Sequence, residues 1–322
     1  MTDTGSQRAS DAASCTKEPL AVRVGAELAG SFIVFFAIYS FTTFGTALFG
    51  INMAFIALAT GIAYAAVTLV FSKVSGGQLN PAITLAAILT GKTKVLDGIL
   101  YIIAQVLGGI AAGALIVRIL PTTETLTAKI WLTYAVNGFG NGSVSSSQLS
   151  SVSASFDITL AVVVEIIASI VVIAAAVATM DKETTAVSHA AAIGFAYGLG
   201  AAMTYPVTGA GMNPARSTGI ALFARNAGLS QNPLQQLWVF WICPILAAAI
   251  VAMVMIGAQL LRDNANAKQQ VVDDTAAQQN AADTDALALS GYEAQTAAES
   301  ADQAGQEASA VSEHDADAQI EQ

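Results

Sequence analysis

Charged side chains divide the chain into long apolar intervals, and the lengths of those intervals predict its elements. Between Arg23 and Lys73 the only charge is Glu27, which leaves room for two spans at about 24–44 and 51–71, joined across Gly45 to Asn52. Each is near the roughly 20 apolar residues that a bilayer crossing requires. Residues 98–117 carry no charge and make a third span, whereas 119–156 are rich in Gly, Ser, Thr and Asn and too polar to cross. Residues 158–180 contain only Glu165 and form a fourth, 184–215 are too long for one span, and 226–261 hold another from about 235. The pattern predicts an all-α membrane protein with six transmembrane helices.

Two short segments break this rhythm. Residues 75–82 read Ser-Gly-Gly-Gln-Leu-Asn-Pro-Ala and follow the second span; residues 208–217 read Thr-Gly-Ala-Gly-Met-Asn-Pro-Ala-Arg-Ser and follow the fifth. Asn is among the best helix N-caps and Pro is favoured at the first helical position, so Asn80 and Asn213 each start a helix. From Pro81 to about Thr90 such a helix is ~15 Å long at 1.5 Å per residue, half of a ~30 Å hydrocarbon core. Three spans plus a half-helix, repeated once with opposite topology, make an inverted repeat. Glu27 and Glu165 fit it, each on the first span of its half, 53 and 48 residues before the corresponding Asn. Irregular backbone at membrane depth is tolerated where it lines a cavity or packs in protein, so both segments are candidate pore walls.

Composition agrees: of 322 residues 54% are hydrophobic and 11% charged, with net charge −10. The charge is uneven. From Arg262 onward there are 13 acidic and two basic side chains, against 10 and 11 in the first 261 residues. The chain therefore reads as a polar N-terminal tail (1–19), a six-span membrane body (20–261, with halves of about 20–118 and 157–261), and an acidic tail (262–322) expected to be largely disordered. No basic patch suits a nucleic acid. Cys15 and Cys243 make neither a disulfide framework nor a metal cluster. Residues 1–19 are polar and the first apolar run is span-length, so no cleaved leader is expected. With both ends inside, Arg8, Lys17, Arg23, Lys73, Lys92, Lys94, Lys182, Arg262 and Lys268 face inward and Arg118, Lys129 and Arg225 outward. This balance predicts cytoplasmic termini in a cell membrane.

The paired boxes Asn80-Pro81-Ala82 and Asn213-Pro214-Ala215, each after the second span of its half and the second followed by Arg216, resemble the aquaporin and glycerol-facilitator (major intrinsic protein) family. The resemblance covers about 20–261 and implies a homotetramer with one pore per subunit. It extends to Gly61 and Gly194, which match the glycines at the family's crossing of spans two and five and permit close helix approach. It carries Arg216 to the outer constriction, with Thr60, Ala201 and Ala210 by offset from the boxes.

Each Asn is expected to cap its half-helix through its carbonyl oxygen and leave its amide hydrogens free for the lumen. Two helix N-termini, each equivalent to about +0.5 charge, would meet there and repel cations, the accepted account of exclusion in aquaporin-type pores. Backbone carbonyls of Gly76, Gly77, Gln78, Gly209, Gly211 and Met212 are expected along the file. Strict water channels of the family place an aromatic ring and a His where this chain has Thr60 and Ala201, which implies a wider, less polar ring here. Ser217 and Ala221 depart from the facilitator pattern of Asp and a basic residue, and Phe240-Trp241 resembles the water-channel pair. The two indicators disagree; the lumen-facing positions carry more weight, because they touch the permeant.

The expected function is a passive channel for water and small uncharged solutes such as glycerol and urea, excluding ions and protons. The alternatives are a strict water channel and a coupled secondary transporter. No nucleophile–base pair or metal-ligand spacing points to an enzyme or a cofactor. Glu27 and Glu165 are expected to hold loop N–H groups rather than relay protons, Gln78 to line the pore, and His189 to sit at the membrane interface. Asn141-Gly-Ser is a glycosylation sequon in an outer loop.

Overall fold

The computed structural model describes residues 18–181 and 183–317. Cys15 and the inward cations Arg8, Lys17 and Lys182 lie outside the described residues. Eight helices position the site: α1 (Leu20–Ser40), α2 (Met53–Phe71), α3 (Pro81–Leu89), α4 (Val95–Ile119), α5 (Ile158–Ala178), α6 (Ala186–Thr208), α7 (Pro214–Ala224) and α8 (Val239–Asp317). A wider turn, Phe41–Gly45, and the short helix Thr46–Phe49 extend α1, so the first apolar element runs Leu20–Phe49. Among the described residues six helices are long and apolar enough to cross a membrane, and α3 and α7, of nine and 11 residues, are the half-helices.

The spanning helices are apolar on two sides. On α2, Ile56, Thr60, Gly61, Tyr64 and Val67 are buried, while Phe55, Leu58, Ile62 and Leu69 are exposed. A helix that is hydrophobic all round belongs between a protein core and lipid, which accounts for the weak periodicity of the sequence in these segments.

Backbone contact decides how the two halves meet. A Cβ on Gly61 would sit 2.6 Å from the carbonyl oxygen of Gly194, so α2 and α6 touch main chain to main chain. The same holds between α4 and α7, where a Cβ on Gly219 would overlap the carbonyl oxygen of Gly109 and one on Gly113 that of Gly219. Small residues permit such approach where lipid offers no hydrophobic drive for helix association.

The polar stretch 119–156 is not a bare connector. Trp131, Leu132, Ala135 and Val136 are buried, and Trp131 donates through Nε1 to Pro121 O at 2.8 Å. Asn141 is exposed in the turn Gly140–Gly142.

The described chain divides into two units, one ending at Ile256 and one beginning at Gly257. The second is helical to Asp317. Its abundance of Ala and Gln explains this: both are good helix formers, and propensity alone can favour a helix that buries nothing. From residue 258 onward every described side chain is exposed.

Candidate functional site

The site is built where the half-helices begin. Asn80 and Asn213 are extended N-caps, with Pro81 and Pro214 at the first helical positions. Asn80 Oδ1 accepts from Ala82 N at 2.8 Å; Asn213 Oδ1 accepts from Ala215 N at 3.0 Å and Arg216 N at 3.3 Å. Asn80 Nδ2 donates to Met212 O at 3.0 Å and Asn213 Nδ2 to Leu79 O at 2.8 Å. Each cap thus holds the residue that precedes the other cap, and α3 and α7 start back to back.

Leu79 (φ 53°) and Met212 (φ 52°) adopt the left-handed conformation, which costs a residue with a Cβ about 1–3 kcal/mol. Two buried carboxylates hold them there. Glu27 Oε2 accepts from Leu79 N at 2.8 Å and Gln105 Nε2 at 2.8 Å, while its Oε1 accepts from Gln78 N at 2.9 Å and the Ser75 hydroxyl at 2.6 Å. Glu165 Oε2 accepts from Met212 N at 2.7 Å, and its Oε1 from Gly211 N at 3.0 Å and the Thr208 hydroxyl at 2.5 Å. Their hydrogen bonds are those of structural acceptors.

Beyond the boxes lies a narrow cavity, with room for about one water molecule, lined by Thr60, Ala210 and Arg216, together with Ile38, Thr42, Ile56, Tyr64, Tyr197, Tyr205, Gly211 and Met212. Arg216 is buried, its Nη1 donates to Asn137 Oδ1, and Ser217 Oγ donates to the same oxygen at 2.8 Å. Among the described residues no carboxylate forms a salt bridge with Arg216, so its charge faces the cavity uncompensated by an ion pair. Asn137 was invisible in the sequence because it sits in a polar loop far from either box.

Three features bear on the expected lining. The amide hydrogens of Asn80 and Asn213 are not free: besides the opposing carbonyls, Asn80 Nδ2 donates to the Tyr197 hydroxyl at 2.8 Å and Asn213 Nδ2 to the Tyr64 hydroxyl at 3.1 Å. Ala201 has no exposed surface and is not a wall of the cavity. It lies on one face of α6 between Tyr197 and Tyr205, one turn away on either side, and those rings line the cavity in its stead. The loop carbonyls are mostly engaged within the protein: Gly76 O meets His189 Nε2 at 3.3 Å, Gly209 O accepts from Asn137 Nδ2 at 2.8 Å, Gly211 O from Asn213 N at 2.6 Å, and Met212 O from Asn80 Nδ2.

His189 is buried in the first turn of α6, with Nδ1 2.7 Å from Thr179 Oγ1. Gln78 is buried and donates to Thr93 Oγ1 at 2.7 Å. The backbone of Gly77 turns at φ 58°, where a Cβ would press on Thr68 O at 3.1 Å.

Tyr64 and Tyr197 were not anticipated, although a signal existed. Each lies 16 residues before the Asn of its own half and three after the crossing glycine. Their rings stack with centroids 3.3 Å apart and planes 3° from parallel.

Comparison with known proteins agrees with this architecture. The chain is 29% identical over 230 residues to aquaporin Z of Photorhabdus laumondii, covering 71% of this chain and 93% of that one. It is 34% identical over 208 residues to aquaporin Z of Brucella melitensis, covering 65% and 84%. The X-ray structure of the aquaglyceroporin from Plasmodium falciparum shares the fold at TM-score 0.59 and 16% identity, over 73% of this chain and 95% of that one. A family model described as major intrinsic protein matches residues 15–255, a range that contains both boxes, both carboxylates and all six crossings. With capped half-helices meeting back to back inside that range, the chain belongs to the major intrinsic protein family, whose members are membrane channels.

Proposed function

We propose that this protein is a passive channel of the cell membrane for water and small uncharged solutes such as glycerol and urea, excluding ions and protons. The observation that carries the reading is the meeting of the two half-helix N-termini beside a cavity that holds Arg216. Two partial charges of about +0.5 each at one point of the membrane disfavour any cation, and Arg216 adds a full one. A neutral molecule with an oxygen acceptor meets no such barrier.

The range of solutes is proposed from Thr60 and Ala210 on the cavity wall, both small. A strict water channel is the second reading. Tyr205 on the same wall supports it by narrowing the cavity, and both relatives above are named aquaporin Z. A coupled transporter finds less support, since the intramembrane carboxylates of Glu27 and Glu165 are engaged by loop donors. The proposal includes a homotetramer with cytoplasmic termini and assigns no catalysis and no cofactor.

Stopped-flow light scattering on proteoliposomes tests it with separate gradients of sucrose, glycerol and urea. Water flux above that of protein-free vesicles, linear in the gradient, together with glycerol or urea entry, is expected. Water flux with both solutes excluded selects the strict water channel, and no flux at all refutes the channel reading.

A further inference from the structure

The two tyrosines that occupy the level of the boxes have no part in the mechanism above, and their geometry is specific. Gly61 and Gly194 bring α2 and α6 into main-chain contact, and Tyr64 and Tyr197 follow three residues later, on the same faces. Helices this close leave no room for two rings side by side except in a stack, hence the 3.3 Å centroid separation. Both rings are buried, and both line the outer cavity together with Arg216. Their hydroxyls take amide hydrogens from the caps of the opposite halves, Tyr64 from Asn213 and Tyr197 from Asn80. The rings therefore stand where a permeating molecule would have to meet those amides.

We propose that Tyr64 and Tyr197 form an aromatic gate at the level of the boxes and are the residues that set the permeation rate and the size of the permeant. Rings in van der Waals contact leave no gap for a water molecule, so passage requires them to part. The permeant, a small neutral molecule with an oxygen acceptor, then replaces the tyrosine hydroxyls on Asn80 and Asn213. The inverted repeat supplies one leaf of the gate from each half, and the glycine crossing is its fulcrum. Selectivity is thereby placed one level inside the ring of Thr60, Ala210 and Arg216. This inference rests on the channel reading proposed above.

The test uses the full chain in liposomes, comparing the native protein with Tyr64→Val/Tyr197→Val and with Tyr64→Phe/Tyr197→Phe. Water permeability per reconstituted molecule and its temperature dependence are measured. Removing both rings should raise water permeability roughly tenfold, equivalent to about 1.4 kcal/mol, lower its temperature dependence, and increase glycerol entry. The phenylalanine pair keeps the ring volume and deletes only the hydroxyls. It should give a smaller rise of about fivefold, the lower end of what two lost hydrogen bonds of modest net strength are worth, and it remains decisive if the valine pair does not fold. Folding is judged by recovery and thermal transition. Native flux that neither folded double variant changes overturns the gate and leaves the channel reading intact. Silence of the native protein with flux in the variants supports the gate, whereas silence of all three overturns both.

Discussion

Replacing Glu165 with Gln tests whether the buried carboxylate works as an acceptor on both oxygens. In the native chain Oε1 accepts from Gly211 N–H and the Thr208 hydroxyl, and Oε2 from Met212 N–H. Glutamine has the same length but one acceptor oxygen, and its NH2 group can only donate. If its oxygen takes the first position, the NH2 faces Met212 N–H, donor against donor. If it is reversed, Gly211 N–H loses its partner. Thr208 decides nothing, because its hydroxyl also reaches Thr204 O at 3.0 Å.

Every orientation therefore orphans one buried backbone N–H, at a cost of about 1–3 kcal/mol. Glu165→Ala orphans two and should cost about 2–6 kcal/mol by the same reckoning. Glu27→Gln should match Glu165→Gln, because Gln78 N–H and Leu79 N–H are divided between its oxygens in the same way. There Gln105, whose Oε1 has no partner, can turn its amide to meet the new NH2 group. The assay is unfolding of the detergent-solubilised protein against increasing denaturing detergent, followed by tryptophan fluorescence. A Glu165→Gln protein as stable as the native one would refute the two-acceptor role and reopen a protonated, transporter-like glutamic acid.

Two further outcomes are expected. Arg216→Val should weaken exclusion of protons, read as faster collapse of a pH gradient in dye-loaded vesicles, while leaving assembly intact, because Ser217 still donates to Asn137; an unchanged leak would remove Arg216 from the filter. Mercury should block the native protein little, since Cys243 is buried and is not a wall of the cavity. Ala210→Cys should gain block, and strong native block abolished by Cys243→Ser would show that the lumen lies elsewhere.

Much of the frame was legible because each feature left a local mark. Spans show as charge-free intervals, half-helices as Asn-Pro after a glycine-rich loop, and the two carboxylates as the only acids inside spans one and four. Asn137 and Gln105 left none, since an amide in a polar loop or a long helix looks like any other. Gly109 and Gly113 show in the sequence as a G-x-x-x-G spacing, but which helix they and Gly219 press against is a tertiary fact. The tail shows no apolar face in the sequence, and its helix requires only local propensity, which a search for such a face does not detect.

The constriction shows where a motif offset carries a position but not its surroundings. Thr60 and Ala201 are small, and taken singly small residues predict a wide ring. Each, however, stands one turn from a tyrosine on the same helix face: Tyr64 beyond Thr60, and Tyr197 and Tyr205 on either side of Ala201. An interior is close-packed, so a large ring needs a small neighbour to lie over, and the small residues make space for aromatic bulk. The bulk on the wall of this cavity thus comes from tyrosines a turn away from the small residues. That is why the inverted repeat is the better guide here: a glycine 19 and a tyrosine 16 residues before each Asn mark one structural unit used twice. Its two copies must close on each other, because the same offsets from two caps that lie back to back put both rings at one level.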